Sequence, residues 1–166
     1  MLKRLGQVVL IVGICGLGGC TGFKPLYGTS GSSGSVATDI SAISVDEQHT
    51  RVGQIVRNEL LDGSRPGQVR FALKLQVTEK AIDVATLSTT LGSRRRIALT
   101  AHYELIDLTT GKSVTSGDSF SNVEFNLINQ PVADLQAADD ARGRAGRELG
   151  QDLRLRIATS LSAARG

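Results

Sequence analysis

The chain has 166 residues, 40% of them apolar and 21% charged, with 19 Lys+Arg against 16 Asp+Glu. That is one domain's length with apolar side chains enough for one core, which excludes a chain disordered throughout and a polytopic membrane protein. The formal net charge of +3 points toward nucleic acid only until the positions of the charges are read.

Met1-Leu2-Lys3-Arg4 is a short basic start, Leu5 to Leu17 is uncharged and mostly apolar, and Gly18 and Gly19 follow. Basic, apolar, then small is the layout of a secretory signal peptide. As a helix the apolar run reaches roughly 20 Å, short of a hydrocarbon core of about 30 Å. Leu17-Gly18-Gly19-Cys20 resembles the lipobox of bacterial lipoproteins. That resemblance implies a diacylglycerol thioether on Cys20, cleavage in front of it and acylation of the new amine. The expected organisation is a leader over 1–19 that is removed, a lipidated tether over 20–35 and one domain over 36–166. Lys3 and Arg4 leave with the leader, so 17 basic side chains face 16 acidic ones, and the nucleic-acid reading loses its support. Cys15 lies in the leader and Cys20 carries lipid. The domain is therefore expected to have no disulfide, no catalytic cysteine and no cysteine metal site.

After Cys20, the stretch 29–35 holds only Thr, Ser and Gly, a composition that cannot bury surface and reads as a flexible spacer. Phe23, Leu26 and Tyr27 do not suit a spacer and are expected to dock on something. Val36 to Val45 predicts a first strand. From Thr50 the period changes, and Val52, Ile55, Val56 and Leu60 trace one helical face. Asp62-Gly63-Ser64-Arg65-Pro66-Gly67 stops that helix. Val69, Phe71, Leu73, Leu75 and Val77 alternate with smaller and polar residues, which predicts a strand buried on one face. Ile97, Leu99, Ala101, Tyr103 and Leu105 predict a second, with a turn at Thr109-Thr110-Gly111-Lys112. A third strand is expected from about Ser113 to Asn126. Its apolar positions pass from even (Val114, Phe120) to odd (Val123, Phe125), which predicts a bulge near Ser121-Asn122. After Pro131 a long helix carries the stripe Leu135, Ala138, Ala141 or Arg142, Ala145, Leu149, Leu153, Ile157 and Leu161. Asp140–Arg144 and Asp152–Arg156 are i,i+4 pairs on its wet side. The order β-α-β-β-β-α predicts an α+β two-layer sandwich, a mainly antiparallel four-stranded sheet with two helices on one face.

An enzyme needs convergent reactive groups, and the sequence shows none. His49 and His102 have no partner in sequence, Asp46-Glu47 and Asp139-Asp140 are adjacent acidic pairs suited to solvated faces, and no metal-ligand spacing occurs. No enzyme activity, cofactor or metal is expected. Arg94-Arg95-Arg96, at the mouth of a strand, stands apart. Arginine offers a planar donor fork suited to phosphate and carboxylate. Three in a row serve either an anion contact or the charged protection of an edge strand.

Cys20-x-Gly22-Phe23-x-Pro25-Leu26-Tyr27-Gly28 resembles the start of the LPS-assembly lipoprotein family LptE in its alphaproteobacterial form. Arg51-Val52-Gly53-Gln54 with Arg57-Asn58-x-Leu60, the strand from Arg96 to Asp107 with Thr110-Gly111, and the Ala- and Arg-rich last helix follow the family's order. The resemblance implies an outer-membrane lipoprotein, anchored through acylated Cys20, that plugs and helps assemble the β-barrel LptD and assists lipopolysaccharide insertion into the outer leaflet. Its domain would then lie on the periplasmic side and within the barrel lumen. Lipopolysaccharide is anionic, which makes Arg94, Arg95 and Arg96 the expected contact with it or with the barrel. The alternative expectation is an accessory lipoprotein of another envelope machine, for transport or β-barrel assembly, with a different protein partner.

Overall fold

The computed structural model describes residues 40–64, 67–88 and 92–164, the side chains of 85–88 excepted. The expectations on the leader, on Cys20 and its lipobox, and on Phe23, Leu26 and Tyr27 lie outside these residues. The elements are β1 (Ile43–Val45), α1 (Arg51–Leu61), β2 (Phe71–Ser88), β3 (Gly92–Asp107), β4 (Ser113–Leu127) and α2 (Pro131–Ala163). They follow the order read from the sequence. The sheet order is β1-β2-β3-β4. β2, β3 and β4 are antiparallel neighbours, and β1 is parallel to β2, because α1 carries the chain back to the end from which it started.

Each boundary has a local cause. Thr50 Oγ1 accepts the Gly53 N–H at 3.1 Å and caps α1. Past its last turn Gly63 sits at φ +68°, a left-handed conformation that glycine reaches without strain. Pro131 opens α2, where its missing N–H costs nothing. Asp134 in the first turn accepts the Ile128 and Gln130 N–H groups at 2.8 and 3.1 Å. At the β3–β4 turn Asp107 accepts the Thr109 and Thr110 N–H groups at 2.7 and 3.3 Å, and Gly111 takes φ +68°.

The core lies between the sheet and the helices. It is built from the odd positions of β2 and β3 (Phe71, Leu73, Leu75, Ile97, Leu99, Ala101, Leu105), from Val52, Val56 and Leu60 of α1, and from Ala141, Ala145, Leu149, Leu153, Ile157 and Leu161 of α2. Alternation along the two strands is as the sequence indicates. α2 lies over β3 and β4, and α1 packs on α2.

Four expectations are corrected. The first strand begins at Ile43, and residues 36–39 lie outside the description. Val69 is 52% exposed because it precedes β2, which starts at Phe71. Leu135 is 62% exposed: the stripe reaches the core only from the second and third turns of α2, and Asp152–Arg156 pairs at 2.5 Å while Arg142 pairs with Asp139. The bulge near Ser121-Asn122 is replaced by unbroken pairing from Ser93↔Leu127 to Leu105↔Thr115, and the one register shift leaves Val114 as the extra residue. The even-to-odd passage has another cause. Phe120 points to the outer face, 70% exposed, while the inward positions are Ser119 and Ser121, both buried. Each serine is satisfied by a carboxylate of α2, Ser119 Oγ donating to Asp152 at 2.5 Å and Ser121 Oγ to Glu148 at 2.8 Å. Burial pushes the Asp152 carboxyl up, and the Ser119 hydroxyl with the Arg156 guanidinium brings it below the ordinary value.

The Asp107 turn gives a pH prediction. The Thr109 N–H, with the Thr110 N–H and Arg70, holds the Asp107 carboxyl below its ordinary value. A depressed folded-state value stabilises the fold above the unfolded-state value and loses that contribution as pH falls through the folded one. The stability difference between wild type and Asp107→Asn should therefore be constant above about pH 5 and shrink below about pH 4. Urea unfolding at stepped pH checks this; a difference that grows on acidification would contradict it.

Candidate functional site: the arginine ladder and the outer sheet face

The even positions of β2, β3 and β4 form the sheet face turned away from the helices. They meet in cross-strand rows: Lys74–Glu104–Ser116, Gln76–His102–Asp118, Thr78–Thr100–Phe120, Lys80–Ala98–Asn122 and Ile82–Arg96–Glu124. Charges of opposite sign sit opposite each other. Lys74 pairs with Glu104 at 3.3 Å, and His102 Nδ1 contacts Asp118 Oδ1. His102 thus has a partner, one that strand pairing creates across 16 residues of sequence. His49 is exposed ahead of α1.

The three arginines are on β3, which has β2 on one side and β4 on the other. They do not protect an edge, since their strand is interior. Alternation splits them between the faces. Arg95 turns to the helix-side face and donates through Nε to Asp83 of β2 at 2.7 Å. Arg94 and Arg96 share the outer face and one carboxylate, Glu124 of β4. Arg96 donates to Glu124 Oε1 from Nε at 3.1 Å and from Nη2 at 2.5 Å. Arg94 Nη1 lies 3.8 Å from Glu124 Oε2, beyond hydrogen-bond reach. Its side chain is 52% exposed.

The cluster is therefore graded. Arg95 and Arg96 are each committed to a carboxylate, whereas Arg94 makes only a long-range pairing with a carboxylate already engaged. Three guanidinium groups against two carboxylates leave one positive charge in excess, and Arg94 is the group best placed to offer it. It can turn a planar fork to a phosphate or carboxylate without giving up a hydrogen bond shown here. The sequence singles out the triplet. Which member is committed depends on Asp83 and Glu124, whose approach only the register of three strands determines.

Among the described residues no group of three or more His, Cys, Asp or Glu is placed to hold a metal ion. No described helix is long and apolar enough to cross a membrane.

No family model matches the chain, and no curated protein does. Solved structures do. A provisionally assigned lipoprotein from Caulobacter crescentus CB15 is similar at a TM-score of 0.67 and 23% identity, over 79% of this chain and 98% of that one. A minor lipoprotein from Acinetobacter baumannii is similar at a TM-score of 0.54 and 10% identity, over 70% and 88%. The rare lipoprotein B of Shewanella oneidensis follows at a TM-score of 0.43 and 13% identity, over 75% and 94%. The first two show that this mixed sheet with two helices on one face is a fold that bacterial lipoproteins carry.

Proposed function

We propose that the chain is an outer-membrane lipoprotein of LptE type, anchored through acylated Cys20, which plugs and helps assemble the β-barrel LptD and assists lipopolysaccharide insertion. The observation that carries this reading is the similarity in fold to the Caulobacter lipoprotein across nearly all of that protein. It joins a sequence whose Leu17-Gly18-Gly19-Cys20 resembles a lipobox. The outer sheet face supports the reading. It is a wide, polar, mixed-charge surface, suited to the water-filled, polar interior of an outer-membrane barrel. More than one acyl chain gives stable anchoring where one is marginal. The domain does its work by binding, and no step of bond chemistry is assigned to it.

Within this reading the arginines meet the anion, and Arg94 leads. Lipopolysaccharide presents phosphate and carboxylate groups, and Arg94 has donors to spare. Arg94→Ala should weaken binding of purified lipopolysaccharide by about three- to tenfold, the equivalent of one exposed charge-assisted contact. Arg95→Ala and Arg96→Ala should weaken it less, because each first releases a carboxylate partner. The wild-type affinity should fall between low and high salt, since exposed charge pairs are screened. Binding titrations with the full-length lipoprotein in detergent test this. Equal binding by wild type and all three variants at both salt concentrations would remove the arginines from the site.

A further inference from the structure

β1 forms one edge of the sheet, with β2 its only neighbour among the described strands. The Phe71 N–H donates to the Ala42 carbonyl and the Asp46 N–H to the Leu73 carbonyl, so the even residues of this stretch bond β2. Ile43 and Val45 therefore turn their N–H and C=O groups outward. Beside them, between β1 and the last turn of α1, runs a groove of about 250 Å³ walled by Ile40, Val45, Leu61 and Val69. Small-ligand pockets are larger, roughly 300–1,000 Å³, so this groove has the scale of a side chain or two. Val69 stands 52% exposed on its wall. Arg57 lines it as well, and the Arg57 Nε is buried without a hydrogen-bond partner. Buried donors in native structures find acceptors, so the groove calls for an acceptor as well as for apolar side chains.

The chain itself holds a segment with both. Phe23-Lys24-Pro25-Leu26-Tyr27, outside the described residues, brings three large side chains with apolar surface, and backbone carbonyls. Ile40, the first described residue, is a wall of the groove, so the segment is tied to its rim. Tyr27 stands 13 residues before Ile40, and a flexible connection of that length spans about 20 Å on average. Tethering at such a range acts as a local concentration on the order of millimolar. That suffices for a contact too weak to form between separate molecules.

We infer that Phe23–Tyr27 folds back along β1 as an added antiparallel strand, with Leu26 in the groove and a backbone carbonyl of the segment accepting from Arg57 Nε. Pro25 fixes the phase. Without an N–H it belongs on the outer side of an edge strand, which turns the backbone of Lys24 and Leu26 toward Ile43 and Val45. A residue paired with Ile43 or Val45 shares their face of the sheet, the core side, and there Leu26 meets Leu61 and Val69. The Thr, Ser and Gly stretch 29–35 supplies a loop, which joins antiparallel strands, whereas parallel ones need a crossover. Cys20, three residues before Phe23, then lies within about 10 Å of this edge. One consequence rests on the proposed lipidation: the anchor holds the domain by β1 and turns β4 away from the membrane.

Amide exchange in the full-length lipoprotein in detergent tests the docking. The Ile43 and Val45 amides should exchange at least about tenfold more slowly in the wild type than in Phe23→Ser/Leu26→Ser/Tyr27→Ser, because the added strand alone bonds them. Val69→Lys, which sets a charge on the groove wall, should speed both amides as well. The Asp46 amide, bonded to Leu73 inside the sheet, should be equally slow in all three proteins, so a variant that merely unfolds is recognised. Equal exchange at Ile43 and Val45 in the wild type and the triple variant overturns the inference, whether both are fast or both are slow. Slow exchange that survives Val69→Lys overturns the placement in this groove. No barrel takes part in the measurement, so its result is separate from that of the LptD reading.

Discussion

Gly150→Ala should destabilise the domain by about 1–3 kcal/mol, although alanine is the better helix former by about 1 kcal/mol. A Cβ on Gly150 would meet Glu59 Cβ at 2.7 Å and the Val56 carbonyl oxygen at 2.9 Å. The second of these is backbone of α1 and cannot turn aside. A Cβ on Gly146, one turn earlier, would meet Ile55 Cγ2 at 2.8 Å and Ile55 Cβ at 3.3 Å, side-chain atoms of a residue stiff at χ1, while the nearest backbone atom is 3.8 Å away, so Gly146→Ala should also destabilise, but by less. At Gly143 a Cβ meets only the Arg147 guanidinium, nearest atom 3.4 Å, and Gly143→Ala should be neutral or gain up to about 1 kcal/mol. Three identical substitutions on one helix therefore separate in order. Thermal unfolding reads them, at roughly 2–4 °C per kcal/mol for a domain of this size. Equal shifts for all three would mean that α1 and α2 do not approach so closely.

Leu149→Ala should cost about 2–5 kcal/mol, since it empties a site that is 0% exposed and held among close-packed neighbours. Leu135→Ala should change stability by no more than about 0.5 kcal/mol, because that side chain is 62% exposed. The contrast matters because the heptad-like spacing places both leucines on one stripe. Chemical denaturation of the two variants measures it directly. A large loss at Leu135 would show that the first turn of α2 is covered by something in solution.

These two leucines show what the sequence makes legible. Element order, the one-sided burial of β2 and β3, and the helix face of α1 all follow from periodicity, because alternation and 3.6-residue spacing record local geometry. Where a helix first meets the sheet is not local, so periodicity alone puts Leu135 on one face with Leu149. Phe120 misleads for the same reason. An aromatic residue among polar ones suggests the buried face, and the true inward residues, Ser119 and Ser121, are buried only because Asp152 and Glu148 arrive from α2 to satisfy them. The glycine contact between the helices is equally invisible. Gly146 and Gly150 are spaced one turn apart in the sequence, yet their meaning depends on Ile55, Val56 and Glu59, almost a hundred residues earlier. Of the candidate site, the triplet Arg94–Arg96 is conspicuous in the sequence. Its division into two committed arginines and one with donors to spare comes from pairing with Asp83 and Glu124. Its place on an interior strand removes edge protection as its purpose.

In the proposed function this domain works by occupying an outer-membrane barrel. The decisive test is affinity capture of the intact lipoprotein from detergent-solubilised outer membrane, with mass spectrometry of what accompanies it. The expected result is one large β-barrel, LptD, recovered in near-equal amount. Recovery of the lipoprotein with no barrel, or with the components of a different envelope machine, would contradict it.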